Sequence, residues 1–299
     1  MRKLLLILLV AALAAFAAGC GSDDEESAPA TGETATEAAD VCAKENLETK
    51  TPGRLTIGTD NPAYPPWFEV SDSPPAPWEL GDPTSGEGFE SAVAYAVAEE
   101  LGFSEDEVDW TVVPFDQSFR PGPKDFDFDI NQISYSDERA QAVDFSDSYY
   151  DVNQALVALE ANPVADATSV ADLKGAKLGA PVGTTSYQYI VDNIEPDAQP
   201  SVYNTLNDAI SAVQARQIDG VVVDLPTAFF ITAAQLENST IVGQFPSVGE
   251  QEYFAMSFEK GSPLVDCVNA ALARLKDDGR LAEIQQEWLS DKADAPVLE

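Results

Sequence analysis

IDGVVVDLPTA, residues 218–228, decides the fold, because an apolar strand and a helix meet in it at a single aspartate. The apolar residues 221–223 are typical of a buried strand, and the LPTA that follows Asp224 is predicted to open a helix. A strand that leads directly into a helix indicates an α/β fold, in which ligand-binding groups gather where the strands end.

Strand-like and helix-like patterns alternate along the rest of the chain. The predicted strands are 55–59, 108–113, 126–130, 155–159, 176–180, 199–203, 218–224 and 252–258. The predicted helices are 89–101, 184–193, 205–216, 226–237, 262–276 and 279–290. This alternation predicts α/β architecture with largely parallel sheets. An ordered chain of roughly 240 residues exceeds the usual size of one core, so two lobes are expected.

The composition excludes several classes of function. The chain has 299 residues, with 16 Lys and Arg against 52 Asp and Glu, which gives a formal net charge of −36. A field of this sign repels nucleic acid, so no nucleic-acid partner is expected. The chain contains no histidine, which excludes Cys/His zinc sites and His-based catalytic triads. We expect neither a metal site nor a cofactor.

The N-terminal segment is typical of an exported protein. Residues 1–19 begin with basic residues and continue with an apolar run that is short for a transmembrane helix, which predicts a signal peptide. The AAGC that ends at Cys20 resembles the lipobox of bacterial lipoproteins, in which the cysteine becomes the lipidated first residue. Ala17 stands where that box prefers Leu, so a secreted chain without lipid is the alternative. Residues 20–41 are predicted to be a disordered tether.

Two further cysteines remain for the folded part of the chain, Cys42 and Cys267. An even pair in an exported protein predicts a disulfide, which here would join the N-terminal entry to a C-terminal helix. Two buried free thiols are the alternative.

Six segments occur in a characteristic order. They are LTIGTDNPAYPPWFE, GFESAVAYAVAEELGF, ISYSDERAQAVDFSDSYY, LGAPVGTTSYQYI, ARQIDGVVVDLPTA and DDGRLAEIQQEWL. Together they resemble the polar amino acid-binding proteins of ABC importers, the family 3 solute-binding proteins. The resemblance implies a periplasmic-binding-protein-like fold, in which two α/β lobes are joined by a hinge of two crossing strands. Mapped onto this chain, it implies a first lobe of residues 42–151 and 251–299 and a second lobe of residues 152–250.

The resemblance also implies a function. Members of the family are extracytoplasmic receptors that capture a free amino acid and deliver it to the permease and ATPase of an ABC importer. For this chain it implies a monomer without enzymatic activity, held at the outer face of the cell membrane by its lipid anchor. Similar folds host cyclohexadienyl dehydratases, so a periplasmic enzyme is one alternative, and a sensor domain without transport is another.

Arg139 is the candidate that binds the carboxylate of an amino acid. It follows Ser136 in SDER, which is predicted to begin a helix. The helix dipole is positive at this end and disfavours a cation, so an arginine there indicates a tertiary interaction. The resemblance implies that its guanidinium binds the ligand α-carboxylate, for which bidentate geometry is well suited. An exposed arginine paired with Asp137, Glu138 or Asp144 is the alternative.

Two other segments complete the expected main-chain site. Gly183, Thr184 and Thr185 precede a predicted helix, and N–H groups at a helix start attract anions. The resemblance implies that the two threonines assist Arg139, whereas an ordinary helix cap is the alternative. The resemblance also implies that Asp224 binds the ligand ammonium, and the alternative is that it only caps the helix after it.

The remaining candidates surround the ligand. The resemblance implies that the Ser134 hydroxyl contacts the ligand backbone and that Tyr64 covers the ligand. It also implies that Asp60 meets the ligand side chain. Gln132 follows Asn131 where relatives carry smaller residues, so these amides are expected to shape the side-chain pocket. Trp67 is assigned either to the ligand or to the core, and the second aromatic wall is left open among Phe115, Gln117 and Phe119.

Overall fold

The computed structural model describes residues 41–289 and 295–299. The predicted signal peptide, Cys20 and residues 20–40 of the predicted tether lie outside the described residues. Among the helices that the structure describes, none is both long and apolar enough to cross a membrane.

The described residues contain twelve strands. They are β1 Leu55–Thr59, β2 Val108–Val112, β3 Phe128–Asp129, β4 Asp144–Phe145, β5 Tyr150–Asp151, β6 Gln154–Leu159, β7 Leu178–Pro181, β8 Ser201–Tyr203, β9 Gly220–Asp224, β10 Ser239–Gln244, β11 Tyr253–Phe254 and β12 Ser257–Phe258. The Val221–Val223 run lies in β9, where its side chains are buried on both faces of a sheet, as the apolar pattern predicts.

Seven α-helices accompany these strands in the described part of the chain. They are α1 Phe89–Glu100, α2 Phe115–Ser118, α3 Thr185–Tyr189, α4 Leu206–Gln214, α5 Leu225–Phe230, α6 Leu264–Asp277 and α7 Arg280–Leu289. Two of them continue as π-helical turns, α3 into Ile190–Ile194 and α5 into Ile231–Gln235. Short 3₁₀ helices span Lys44–Asn46, Pro83–Ser85, Glu105–Glu107, Arg139–Gln141, Pro163–Asp166 and Val170–Leu173.

The strands form two five-stranded sheets, one in each lobe. The order is β2-β1-β3-β12-β4 in the first lobe and β10-β6-β9-β7-β8 in the second. Each sheet has two parallel and two antiparallel pairings. The prediction of largely parallel sheets is therefore wrong. Both sheets are mixed because β6 and β12, which adjoin the crossings between the lobes, run opposite to their neighbours.

The hinge is a two-stranded antiparallel ribbon of β5 and β11. A single strand was predicted over 252–258, but the structure divides it between this ribbon and the first sheet. Two residues separate β11 from β12, and their N–H groups donate outside the sheet ladders. The amide of Ala255 donates to the Ile133 carbonyl at 3.0 Å, and that of Met256 donates to Ser146 Oγ at 2.9 Å.

The C-terminal end of the chain departs from the predicted division into lobes. Helices α6 and α7 pack with α1 in the core of the first lobe, as expected. Residues 295–299 instead lie on the second lobe, where Val297 forms a parallel bridge with Gln244 of β10 and Leu298 is buried in the core. Strand β10 itself was not predicted. The expectation that all of 251–299 returns to the first lobe therefore does not hold for the last five residues.

A disulfide joins the two ends of the first lobe. Cys42 and Cys267 are bonded, with their Cα atoms 5.3 Å apart, and the bridge links the chain before β1 to α6. Both residues pack against the core of the first lobe. The predicted pairing is present, and the alternative of two free thiols is excluded.

Candidate ligand-binding site

A cavity of about 390 Å³ lies between the two lobes. Its walls come from the loop after β1, the segment after β3, the N-terminus of α3, and the junction of β9 with α5. Six of the nine predicted ligand-binding residues line it: Asp60, Tyr64, Gln132, Thr184, Thr185 and Asp224. The chain thus brings together residues that are up to 164 positions apart.

Polar contacts join the two lobes across the cleft. Arg139 Nη2 donates to the Gly183 carbonyl at 2.8 Å, and the hydroxyl oxygens of Ser134 and Thr185 lie 3.3 Å apart. A third contact, in which the Trp67 indole donates to Thr227 Oγ1 at 3.0 Å, joins the lobes elsewhere. The cleft is therefore in a closed arrangement.

The guanidinium of Arg139 sits at the edge of this cleft. Its Nη1 donates to the Ser134 carbonyl at 2.6 Å, and its Cζ lies 4.2 Å from the ring centre of Phe119. Burial lowers the pKa of Arg139 to about 10. The exposed pairing considered above is not what the structure shows, because Arg139 is half-buried and its guanidinium donates to the carbonyls of Ser134 and Gly183. Asp144 forms its ion pair with Lys260 at 2.7 Å.

The threonines begin α3 as the sequence predicts. Thr184 is the N-cap residue, with its hydroxyl accepting from the Tyr187 amide at 3.2 Å and donating to the Pro181 carbonyl at 2.8 Å. The Thr184 hydroxyl therefore serves as an ordinary helix cap. Thr185 Oγ1 instead approaches Ser134 across the cleft.

The carboxylate of Asp224 stands at the end of β9. It occupies the N-cap position of α5, but its side chain makes no capping hydrogen bond. Its Oδ1 accepts from Gln154 Nε2 at 2.8 Å. Burial raises the pKa of Asp224 to about 7, and the charge of the nearby Glu252 adds to this rise.

Glu252 is a neighbour of the site that the sequence did not reveal. Its Oε1 accepts from the Ser134 hydroxyl at 2.6 Å, and its Oε2 lies 3.2 Å from Gln154 Nε2. The amide of Gln154 thus bridges Glu252 and Asp224. Glu252 directly precedes β11, and no local pattern links a hinge residue to the strand end that carries Asp224.

Glu90, in the first turn of α1, is a second acid that the sequence did not reveal, and it holds Gln132 by hydrogen bonds. Glu90 is fully buried and accepts from the Gln132 amide at 2.6 Å, from Gln132 Nε2 and from the Tyr149 hydroxyl. Burial raises its pKa to about 7. Glu90 stands in the GFES segment, whose helical pattern indicated only an apolar face.

The far end of the cavity is aromatic and acidic. Tyr64 and Phe115 both line it, so of the three residues considered for the second aromatic wall Phe115 is the one at the cavity. The Arg139 Cζ lies 5.6 Å from the ring centre of Phe115 as well as close to Phe119, and Gln117 Nε2 contacts the Asp116 carboxylate at 3.0 Å. Burial raises the pKa of Asp60, whose carboxylate accepts from the Asn61 amide at 2.7 Å.

Trp67 belongs to the core of the first lobe and not to the cavity wall. Its side chain is fully buried and packs edge-on against Phe89, Tyr150 and Phe254, with ring centres 5.5–5.9 Å apart. The assignment of Trp67 to the ligand is therefore corrected. The one polar atom of its indole is satisfied by Thr227.

No group of three or more His, Cys, Asp or Glu side chains suited to a metal ion occurs in residues 41–289 and 295–299.

Comparisons with known proteins agree with this fold. The model of the bacterial extracellular solute-binding proteins, family 3, matches residues 55–291. The L-cystine-binding protein TcyA of Bacillus subtilis (strain 168) is 29% identical over 294 residues, covering 97% of this chain and 98% of its own. The ABC transporter glutamine-binding protein GlnH of that strain is 27% identical over 221 residues, covering 71% and 77%. The solved structure of an ancestral arginine-binding protein bound to glutamine is 27% identical with a TM-score of 0.64, covering 80% of this chain and 98% of its own.

Proposed function

The chain belongs to the bacterial extracellular solute-binding proteins of family 3, and on that premise we propose that it is an amino acid receptor. It binds a free amino acid in the cleft between the lobes and delivers it to the permease and ATPase of an ABC importer. The observation that carries this proposal is that one closed cleft has Arg139 at its edge and Asp224 on its wall. A cation and an anion held apart on opposite lobes match the two charges of an α-amino acid.

Each charge has a defined role in the proposal. A guanidinium has five N–H donors, and the two hydrogen bonds that Arg139 makes to carbonyls leave others for the ligand carboxylate. Asp224 receives the ammonium, which also relieves its repulsion with Glu252. Ser134 and Thr185, which meet across the cleft, contact the ligand main chain.

Closure of the lobes is the conformational step in the proposal. The β5–β11 ribbon acts as the hinge, and a ligand favours the closed form because only that form contacts it from both lobes. The first lobe comprises residues 42–151 and 251–289, and the second comprises 152–250 together with 295–299. The named relatives are binding proteins, which supports a receptor without turnover. The proposal takes this receptor to act as a monomer.

Arg139→Ala tests the assignment of the site. Charge-assisted hydrogen bonds contribute about 1.5–3 kcal/mol each, so losing two should weaken amino acid binding at least ~100-fold. Isothermal titration calorimetry against the twenty amino acids measures this. Arg280→Ala is the matched control, because Arg280 pairs with Glu99 on the surface of the first lobe. Unchanged affinity in Arg139→Ala would show that the site is assigned wrongly.

We further propose that the receptor is anchored outside the cytoplasm by lipid on Cys20. The AAGC segment and the acidic residues that follow it support this anchor. In cells that express the full chain, the wild type should fractionate with membranes. Cys20→Ala should release the protein from them, and a wild type found only in the medium contradicts the anchor.

A further inference from the structure

The contacts of Glu90 fix both the backbone and the side chain of one cleft residue. Its carboxylate accepts from the Gln132 main-chain N–H at 2.6 Å and also from Gln132 Nε2. Gln132 has a φ of 46°, in the left-handed region that a non-glycine residue rarely adopts. Two hydrogen bonds from one fully buried group hold it there.

The chemistry of these contacts determines which atom of the Gln132 side-chain amide remains free to bind a ligand. An ionised carboxylate only accepts hydrogen bonds, so the NH₂ group of the amide must face Glu90. Oε1 therefore points away from Glu90, and no described residue donates a hydrogen bond to it. Since Gln132 lines the cleft, this carbonyl oxygen is available to a ligand.

The rest of the cleft wall, like the Gln132 carbonyl oxygen, favours a ligand group that donates hydrogen bonds. Of the described residues that line the cleft, none is a lysine or an arginine. Burial raises the pKa of Tyr64 to about 12, and the charges of Asp60, Glu79 and Asp208 add to the rise. Asp60 and Asp116 line the cavity together with Tyr64 and Phe115, and both carboxylates and aromatic rings favour a cation.

We propose that the cleft selects an amino acid whose side chain ends in a guanidinium or ammonium group, and that Glu90 is a positioning residue that sets this selectivity by presenting Gln132 Oε1. The inference rests on the proposed receptor function and adds the ligand class to it. Glu90 itself does not line the cleft and acts only through Gln132.

The test compares arginine with citrulline, which has the same shape but carries a neutral ureido group. Affinities are measured by calorimetry at pH 8, above the pKa of about 7 to which burial raises Glu90. The wild type should bind arginine at least ~10-fold more tightly than citrulline, because the neutral analogue lacks the positive charge and has a carbonyl oxygen in place of one NH₂ donor. Lysine against norleucine tests the ammonium in the same way.

Glu90→Gln tests the positioning role. The new amide can donate to Gln132 Oε1, which lets the Gln132 amide turn over and present its NH₂ group to the ligand. The ratio of arginine to citrulline affinities should fall at least ~10-fold, while citrulline still binds. Glu87→Gln, which changes an exposed acid just before the same helix, should keep the wild-type ratio. Because Glu90→Gln also alters the core, Gln132→Leu provides a second variant that removes the acceptor and should lower the ratio too.

The outcomes separate the two proposals. If the wild type binds no amino acid, the receptor function fails. If it binds amino acids but prefers citrulline or glutamate, only the cationic class is overturned. If the ratio is unchanged in both Glu90→Gln and Gln132→Leu, Glu90 does not set the selectivity.

Discussion

At the scale of single residues, the cleft contains acids that are costly to keep charged. Asp224 is partly buried beside Glu252, and both share the amide of Gln154. A buried carboxylate with an acidic neighbour favours its neutral form, so the empty cleft holds Asp224 in an unfavourable state near neutral pH. An arriving ammonium stabilises the charge. The same residue therefore lowers the stability of the empty protein and raises its affinity for ligand.

Asp224→Asn should stabilise the empty protein at pH 8. The pKa of Asp224 is raised from 3.8 to about 7, so its favourable contribution is complete below pH 3.8 and is lost as pH rises through about 7. The neutral amide avoids that loss and should raise Tm by a few degrees at pH 8 but little at pH 5. Differential scanning calorimetry at both pH values measures this, with the exposed Asp166→Asn as control. A lower Tm at pH 8 would contradict the assignment.

The same titration gives the wild type a pH-dependent affinity. Ammonium binding needs ionised Asp224, so affinity should weaken as pH falls below about 7, by up to ~10-fold per pH unit. Calorimetric titrations from pH 8 to pH 5 would show this. In Asp224→Asn, binding should be weak and should depend less on pH than in the wild type.

At the scale of secondary-structure elements, the C-terminal segment completes the second lobe. The Leu298 amide donates to the Gln244 carbonyl at 2.9 Å, and the Gln244 amide donates to the Pro296 carbonyl at 2.7 Å. A Cβ at Gly243 would lie 2.7 Å from that same Pro296 carbonyl oxygen, so the close approach requires glycine. The segment therefore covers the edge of β10, where unpaired N–H and C=O groups would otherwise be exposed.

Leu298→Ala should destabilise the second lobe. Leu298 is 1% exposed, and removing a buried leucine side chain costs about 2–5 kcal/mol. Urea unfolding followed by circular dichroism measures the loss. Val297→Ala is the matched control, because Val297 is 52% exposed and should change stability little. Equal effects of the two substitutions would mean that the segment does not pack as described.

At the scale of the whole molecule, charge repulsion opposes folding. The 52 acids exceed the 16 basic residues more than threefold, and the ion pairs among the described residues are largely at the surface. Surface pairs contribute little, whereas a large net charge destabilises a compact state through self-repulsion.

Stability should therefore rise with ionic strength. Raising NaCl from 0.01 to 0.2 M shortens the Debye length from about 30 Å to less than 10 Å, which screens long-range repulsion more than close pairs. Tm measured by calorimetry at pH 7.5 should increase across this range, and KCl should act equally. A Tm that decreases with salt would show that attractive pairs dominate.

Much of the architecture follows from local pattern. The sequence predicts the strand at 218–224 and the helices near 89–101 and 262–276 closely. In each of them the spacing of apolar residues marks the side of the element that is buried. The family, confirmed by the match over 55–291, also follows from segments in order. Arg139 could be singled out because basic residues are rare in so acidic a sequence.

What only the tertiary structure decided is which residues from distant segments meet. Glu90 lies beneath Gln132, Glu252 lies beside Asp224, and residues 295–299 cross to the second lobe. No local sequence pattern predicts these contacts, because each depends on how the hinge and the lobes place segments that are far apart in the chain. The sequence by itself determined most of the elements, the family and the charged pair proposed to hold an amino acid. The packing of the lobes decided what surrounds that pair, since burial and neighbouring charge exist only once the chain is folded.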